Sequence, residues 1–411
     1  MTAGRQRTRV LFLSSMAVTP RTGGGNAVFN AVEPPPTGSE AFYATLLSGP
    51  LDETVFPELA SRVRTFPRGV KYLLPAVKVG EARKRLRHVK NALGLEGLWT
   101  RLNVRNMNAP ELAAWVVEKA GELRPDVFLL APQSLLDVIV SNEVMDRTGL
   151  PAVVWFMDDY YKDCYSRARV KRLWNRAHTR FVISESMGET FSRLYGSDYE
   201  VLAHSINYPR EYLPPPGSHE GRLRVLYAGS VNQYYASTMK LALREFAGLG
   251  DRVTLDVYTG DDLPDEGYGE AGVSWRKFPL IKAGDLVPRL REYDVLLLLS
   301  SFEHAWRATA ETAQASKLAD YLAAGRCILA YGPPYADNVR YLERHGIGEV
   351  VTSAKPGALR EKLLALAADP ERRKEIGERA YLFGREHRDR AKNHDRLWRA
   401  LREAARARSG G

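Results

Sequence analysis

Residues 316–332, SKLADYLAAGRCILAYG, set a serine, a lysine and, three residues on, an acid at the start of a helical pattern. Ser316 suits a helix N-cap, where its hydroxyl oxygen would accept from a free backbone N–H. Free N–H groups and the positive end of the helix dipole favour a phosphate, and Lys317 adds a point charge. Asp320 can accept hydrogen bonds from two vicinal ribose hydroxyls. The same spacing also describes an ordinary amphipathic helix of an α/β domain, with Leu318, Tyr321 and Leu322 as its apolar side. Gly325 predicts the helix end. The apolar run after it predicts a parallel strand covered on both faces.

Three further places carry groups able to act on a ligand. Met157-Asp158-Asp159-Tyr160-Tyr161 follows a predicted strand. Ligands of open parallel sheets bind beyond the strands' carboxyl ends, so an acid there can orient a hydroxyl and take its proton. Asp158, nearer the strand end, is the preferred candidate, although either acid also suits the cap of the next helix. The predicted loop 300–310 carries Glu303, His304 and Arg307. Gly229-Ser230 follows the first strand of the second half, and Ser184-Glu185 follows another strand as a turn or a capping box.

The segment Ser316-Lys317-x-x-Asp320-Tyr321-Leu322-Ala323-x-Gly325 resembles the donor-binding segment of retaining GT-B glycosyltransferases of the family 4 type, the group 1 glycosyl transferases. Those proteins carry Ser-Lys-x-x-Glu-Tyr-Leu-Ala-x-Gly-x-Pro-Val or a related Glu-x7-Glu pattern. Here Asp320 stands at the second Glu, Thr312 at the first with Glu311 beside it, and Arg326-Cys327-Ile328 replaces Lys-Pro-Val. The resemblance implies a nucleotide-diphospho-sugar co-substrate, a hydroxyl acceptor, no further cofactor and metal-independent catalysis. It implies that Gly38 and Ser39 form the glycine turn before the first helix, with the donor diphosphate near Gly229 and Ser230. It also implies that backbone groups around Leu280 read the nucleobase. The usual Arg and Lys after the second glycine turn are absent, so Lys317 and Arg307 become the candidate cations. With Asp158 these form the candidate catalytic set, and Ser316 and Asp320 complete the donor site.

The elements that must position these residues follow from periodicity. From residue 109 the chain alternates helix and strand, the mark of an α/β fold with a parallel sheet. Residues 16–37 read as a long Gly/Pro-rich loop, and AFYATLL, after Thr37-Gly38-Ser39-Glu40, as a helix. YPREYLPPPGSHEGR breaks the pattern as a linker. The expected architecture is therefore a GT-B fold: two Rossmann-like parallel-sheet domains facing an interdomain cleft. Residues 1–207 form the acceptor domain, 208–222 the linker and 223–385 the nucleotide-sugar domain. Residues 386–411 form a final helix returning to the first domain, with Trp398, Leu401 and Ala405 on its docking side.

The 411 residues allow two domains of about 200 residues each. Two cysteines without metal or disulfide spacing fit a reduced cytosol. The first strand follows the N-terminus too closely for a signal peptide's apolar region. The charge of +10 suits an anionic partner; no nucleic-acid module signature appears in the sequence, so no nucleic-acid partner is expected. The basic amphipathic stretch 79–105 suits either solvent or an anionic membrane, so the expected location is cytoplasmic, free or on the membrane's inner face. Competing expectations are a nucleotide-sugar epimerase, an inverting transferase, and a catalytically silent scaffold or peripheral membrane protein.

Overall fold

The computed structural model describes residues 7–19, 23–48, 57–67, 108–158, 167–215, 222–247, 249–263 and 274–409. The basic stretch 79–105, Asp159, Cys164 and residues 216–221 of the Pro/Gly-rich segment lie outside the described residues. The chain falls into two compact units: Met1–Leu202 with His394–Gly411, and Ala203–Asn393. Each is a Rossmann-like layer structure around a wholly parallel sheet.

The first unit contains β1 (Arg9–Ser14), α1 (Gly23–Val32), β2 (Glu40–Ser48), β3 (Val63–Phe66), α2 (Ala109–Leu123) and β4 (Val127–Leu130). It continues with α3 (Leu135–Thr148), β5 (Ala152–Phe156), α4 (Arg167–Arg176), β6 (Thr179–Val182), α5 (Glu185–Tyr195) and β7 (Glu200–Val201). The strand order is β3-β2-β1-β4-β5-β6-β7, so the winding reverses between β1 and β4. The central strands are apolar on both faces because helices cover both sides, and Val10–Leu13 and Val127–Leu130 are buried throughout. Ser134 caps α3 by accepting from the Asp137 amide, and Ser184 caps α5 by accepting from the Met187 amide. Ser184 therefore has a local capping role.

The second unit contains β8 (Leu223–Ala228), α6 (Ala236–Ala247), β9 (Val253–Tyr258), β10 (Trp275–Phe278), α7 (Leu286–Leu290), β11 (Val295–Leu299) and α8 (Arg307–Ala310). Next come α9 (Leu318–Ala324), β12 (Cys327–Tyr331), α10 (Asp337–His345), β13 (Glu349–Val351), α11 (Ala358–Ala368) and α12 (Pro370–His387). Its sheet runs β10-β9-β8-β11-β12-β13 and reverses between β8 and β11. The last helix, α13 (Arg390–Ser409), buries Leu397, Trp398, Leu401 and Ala404 in the core of the first unit. The Trp398 indole N–H donates to the Val32 carbonyl at 2.9 Å.

Two expectations are corrected. Residues 40–48 form a strand, not a helix: β2 pairs in register with β1 from Arg9↔Glu40 to Ser14↔Thr45. The helix that follows β1 is instead α1, which starts on Gly23-Gly24-Gly25 inside the supposed loop. Poor helix formers can occupy α1 because it buries Ala27, Val28, Ala31 and Val32 against the sheet, and packing overrides propensity.

Arg326, which follows the Gly325 turn, has a structural role. It is buried, and its guanidinium donates to the carbonyls of Arg291, Leu213, Pro214 and Gly325. It thus fastens residues 213–214 to the second sheet, and the four carbonyls compensate a cation whose burial pushes it down to about 10. Opposite it, Gly377 of α12 lies against backbone: a Cβ there would sit 2.5 Å from the Gly325 carbonyl oxygen. Only glycine admits that approach.

Candidate functional site

The site is built where β8 and β11 part. Their pairing covers Val225↔Val295 and Leu226↔Leu296 and stops there. Beyond it the Ala228 N–H and the Leu297 carbonyl need other partners. The Tyr321 hydroxyl supplies both, accepting from Ala228 at 3.0 Å and donating to Leu297 at 3.3 Å. The tyrosine of the 316–325 motif thus fixes α9 to the point where the strand order reverses, which is where open α/β sheets hold ligands.

At the end of β8 the backbone turns through Gly229 at φ +125°. The dihedral favours glycine, and the Lys317 side chain lies over the turn, its Nζ 2.9 Å from where a Cβ would stand. Lys317 is half-buried, but its Nζ is sealed from solvent and has no hydrogen-bond partner. It lies 3.9 Å from the ring centroid of Tyr227 and 5.0 Å from that of Tyr235. The two rings partly compensate the cation through their negative faces. Burial nevertheless pushes the ammonium down to about 7. A sealed ammonium with three unmade hydrogen bonds has unspent binding capacity for an anion.

The turn is braced. The Tyr227 hydroxyl donates to the Ser230 carbonyl at 2.5 Å. The Ser230 hydroxyl and the Val231 N–H both donate to Oδ2 of Asp261, each at 2.6 Å. Those bonds hold the Asp261 carboxyl below its usual range. Asp320, one turn along α9 from Lys317, is half-buried, and burial pushes its carboxyl up to about 7. Past β10, Leu280 is 59% exposed and covers Gly260, whose Cβ would lie 3.1 Å from a Leu280 methyl.

Several expected site residues fall differently. Ser316 does not cap α9: the helix begins at Leu318, and the cap position is Lys317, in αR conformation without a side-chain cap bond. Gly38 and Ser39 lead into the amino end of β2, since Ser39 immediately precedes Glu40. They stand at the amino edge of the sheet, opposite the carboxyl edge where open parallel sheets generally hold ligands, because β2 is a strand rather than a helix. Arg307 is half-exposed, donates to Glu311 at 3.0 Å and lies 4.7 Å over the Tyr335 ring, so its charge is already engaged. Asp158 is half-buried just beyond the carboxyl end of β5 in the first unit.

Spacing alone did not reveal Tyr227, Tyr235 and Asp261, which meet Lys317 and the Gly229 turn only through the sheet order. Asp137 was also missed. It is buried at the reversal point of the first sheet, where Oδ2 accepts from the Ser15 hydroxyl at 2.7 Å and the Gln133 N–H at 2.6 Å. It ties the loop after β1 to the loop after β4. Its one sequence signal is an acid at an otherwise apolar position of α3. Among the described residues no group of three or more His, Cys, Asp or Glu is placed to hold a metal, and no helix is long and apolar enough to cross a membrane.

Two parallel α/β units with these strand orders form a GT-B-type fold. Solved structures agree along nearly the whole chain. Anabaena HepE in complex with UDP and glucose superposes with a TM-score of 0.64 at 13% identity, covering 96% of this chain and 99% of that one. Sucrose-phosphate synthase from Thermosynechococcus elongatus gives 0.66 at 13% identity, covering 97% and 100%. A glycosyltransferase from Rickettsia africae gives 0.64 at 10% identity, covering 97% and 99%. No family model and no curated protein matches the sequence.

Proposed function

We propose that this chain is a retaining glycosyltransferase that moves a sugar from a nucleotide-diphospho-sugar to a hydroxyl acceptor. The observation that carries the donor half is the sealed, unpartnered ammonium of Lys317 against the Gly229 turn. The neighbour HepE is solved with UDP and with UDP-glucose, which supports a nucleoside diphosphate as the anion. In the reaction the anomeric C–O bond to the diphosphate breaks and a bond from C1 to the acceptor oxygen forms. Negative charge grows on the leaving diphosphate, and a preorganised cation aimed at it lowers the barrier; losing one such donor elsewhere costs about 3–4 kcal/mol. Lys317 fills that role. Asp320 orients the donor ribose, backbone groups at Leu280 face the base, and Asp158 of the first unit takes the acceptor's proton. Arg307 contributes only by leaving Glu311. The retaining outcome rests on the motif at 316–325 and is the finer part of the proposal.

A thermal-shift panel with UDP, GDP, dTDP, CDP and ADP tests the donor half. At about 100 times its dissociation constant one ligand adds roughly 2.7 kcal/mol of stability. The expected result is an upward shift with one diphosphate that Lys317→Ala abolishes, while the ligand-free variant melts no lower than the parent at pH 6. No shift with any diphosphate, or an equal shift in the variant, overturns the donor site. Proton coupling constants of the product's anomeric centre then test retention.

A further inference from the structure

The Ser230 hydroxyl and the Val231 N–H converge on a single oxygen, Oδ2 of Asp261, at 2.6 Å each. Successive donors aimed at one point form an anion-binding concavity, suited to one phosphoryl oxygen as well as to one carboxylate oxygen. The same turn carries Gly229, against which the Lys317 ammonium sits without a partner. The charges at this turn are therefore unbalanced: Asp261 engages the two neutral donors and leaves the cation unanswered. Asp261 is itself half-buried, three residues beyond the end of β9, where its N–H donates to the Thr259 hydroxyl at 3.1 Å. Lys277, which faces Asp262 at 3.5 Å and also attracts the Asp261 carboxylate, stands outside the turn as a second cation.

We infer that the Asp261 carboxylate is an internal substitute for a donor phosphoryl group, held by Ser230 and Val231 until a nucleoside diphosphate displaces it, so that Asp261 sets donor affinity. This rests on the donor-site reading above. On displacement, one phosphoryl oxygen takes the two donors, another oxygen of the diphosphate answers the ammonium at Gly229, and Asp261 turns toward Lys277. Without displacement a diphosphate would share the turn with a like charge, which weakens binding.

The test is isothermal titration of the panel's selected nucleoside diphosphate, and of inorganic pyrophosphate, into the full chain and into Asp261→Asn. The amide keeps the size and loses the charge to be displaced. The expected result is a dissociation constant about tenfold lower in Asp261→Asn for both probes, with Ser230→Ala several-fold weaker than the parent. Asp261→Ser, which keeps a short acceptor, should also bind more tightly than the parent and serves if Asp261→Asn does not fold. Equal or weaker binding by the folded Asp261 variants, with the parent binding normally, overturns the inference alone and makes Asp261 a fixed brace. Absence of binding by the parent and by every variant removes the donor site, and this inference with it.

Discussion

Lys317 and Asp320 are three residues apart and shifted in opposite directions by the same cause, burial. The lysine falls from 10.5 to about 7, so between those values the unfolded chain holds the proton and the folded chain does not. Stability then rises with pH from about 7 toward 10.5. The acid rises from 3.8 to about 7, so in that window the folded chain holds the extra proton and stability falls as pH rises. Together the pair gives the ligand-free protein a local stability minimum near neutrality. Melting temperatures at pH 5, 7 and 9 should show a dip that flattens in Lys317→Met/Asp320→Asn; an unchanged dip would assign it to other groups. Opposed shifts of this size are typical of functional sites; SKLADYLAAG offered both residues as ligand groups, but their burial was not legible in it. The lysine's burial arises because the Tyr227 and Tyr235 rings and the Gly229 turn close around it.

At the scale of elements, α9 is short and is positioned by contacts rather than by its own helical strength, since a seven-residue helix is not stable alone. Tyr321 anchors it at the parting of β8 and β11. Tyr321→Phe leaves a buried N–H and a buried carbonyl with one partner fewer, at a cost of about 1–3 kcal/mol. Urea denaturation should show that loss, and the nucleotide-induced thermal shift should shrink because the Gly229 turn loses its fixed neighbour. A variant as stable as the parent would mean that the bridge is replaceable. The sequence suggested α9 and β12 through their apolar spacing and Gly325. It misplaced the helix start, because Lys317, not Ser316, takes the cap position, with αR dihedrals.

In the whole molecule, α13 closes the first unit from the far end of the chain. Trp398 is buried and bonded to Val32, and the His394 ring and the Pro34 carbonyl are 2.8 Å apart. Trp398→Ala removes a large core side chain, which costs about 3–5 kcal/mol. The loss belongs to the first sheet: amide exchange should quicken in β1 and β4 and stay near the parent's in β8 and β11. Equal acceleration in both sheets would contradict the assignment of α13 to the first core.

The sequence by itself determined the alternation of helices and strands from residue 109 onward, because apolar runs as short as Val295–Leu299, set between helical patterns, fit covered strands better than helices. It also determined the motif that carries Lys317, Asp320 and Tyr321. Strand order was left to the tertiary structure, since parallel pairing joins residues far apart in the chain without any local signature. Only that order reveals that EAFYATLLS is β2 beside β1, that Gly38 stands at the amino edge, and that Asp261 reaches Ser230 across the ends of β8 and β9. The chemistry of the second unit was thus half written in one segment, and the other half came from three strand ends that the fold brings together.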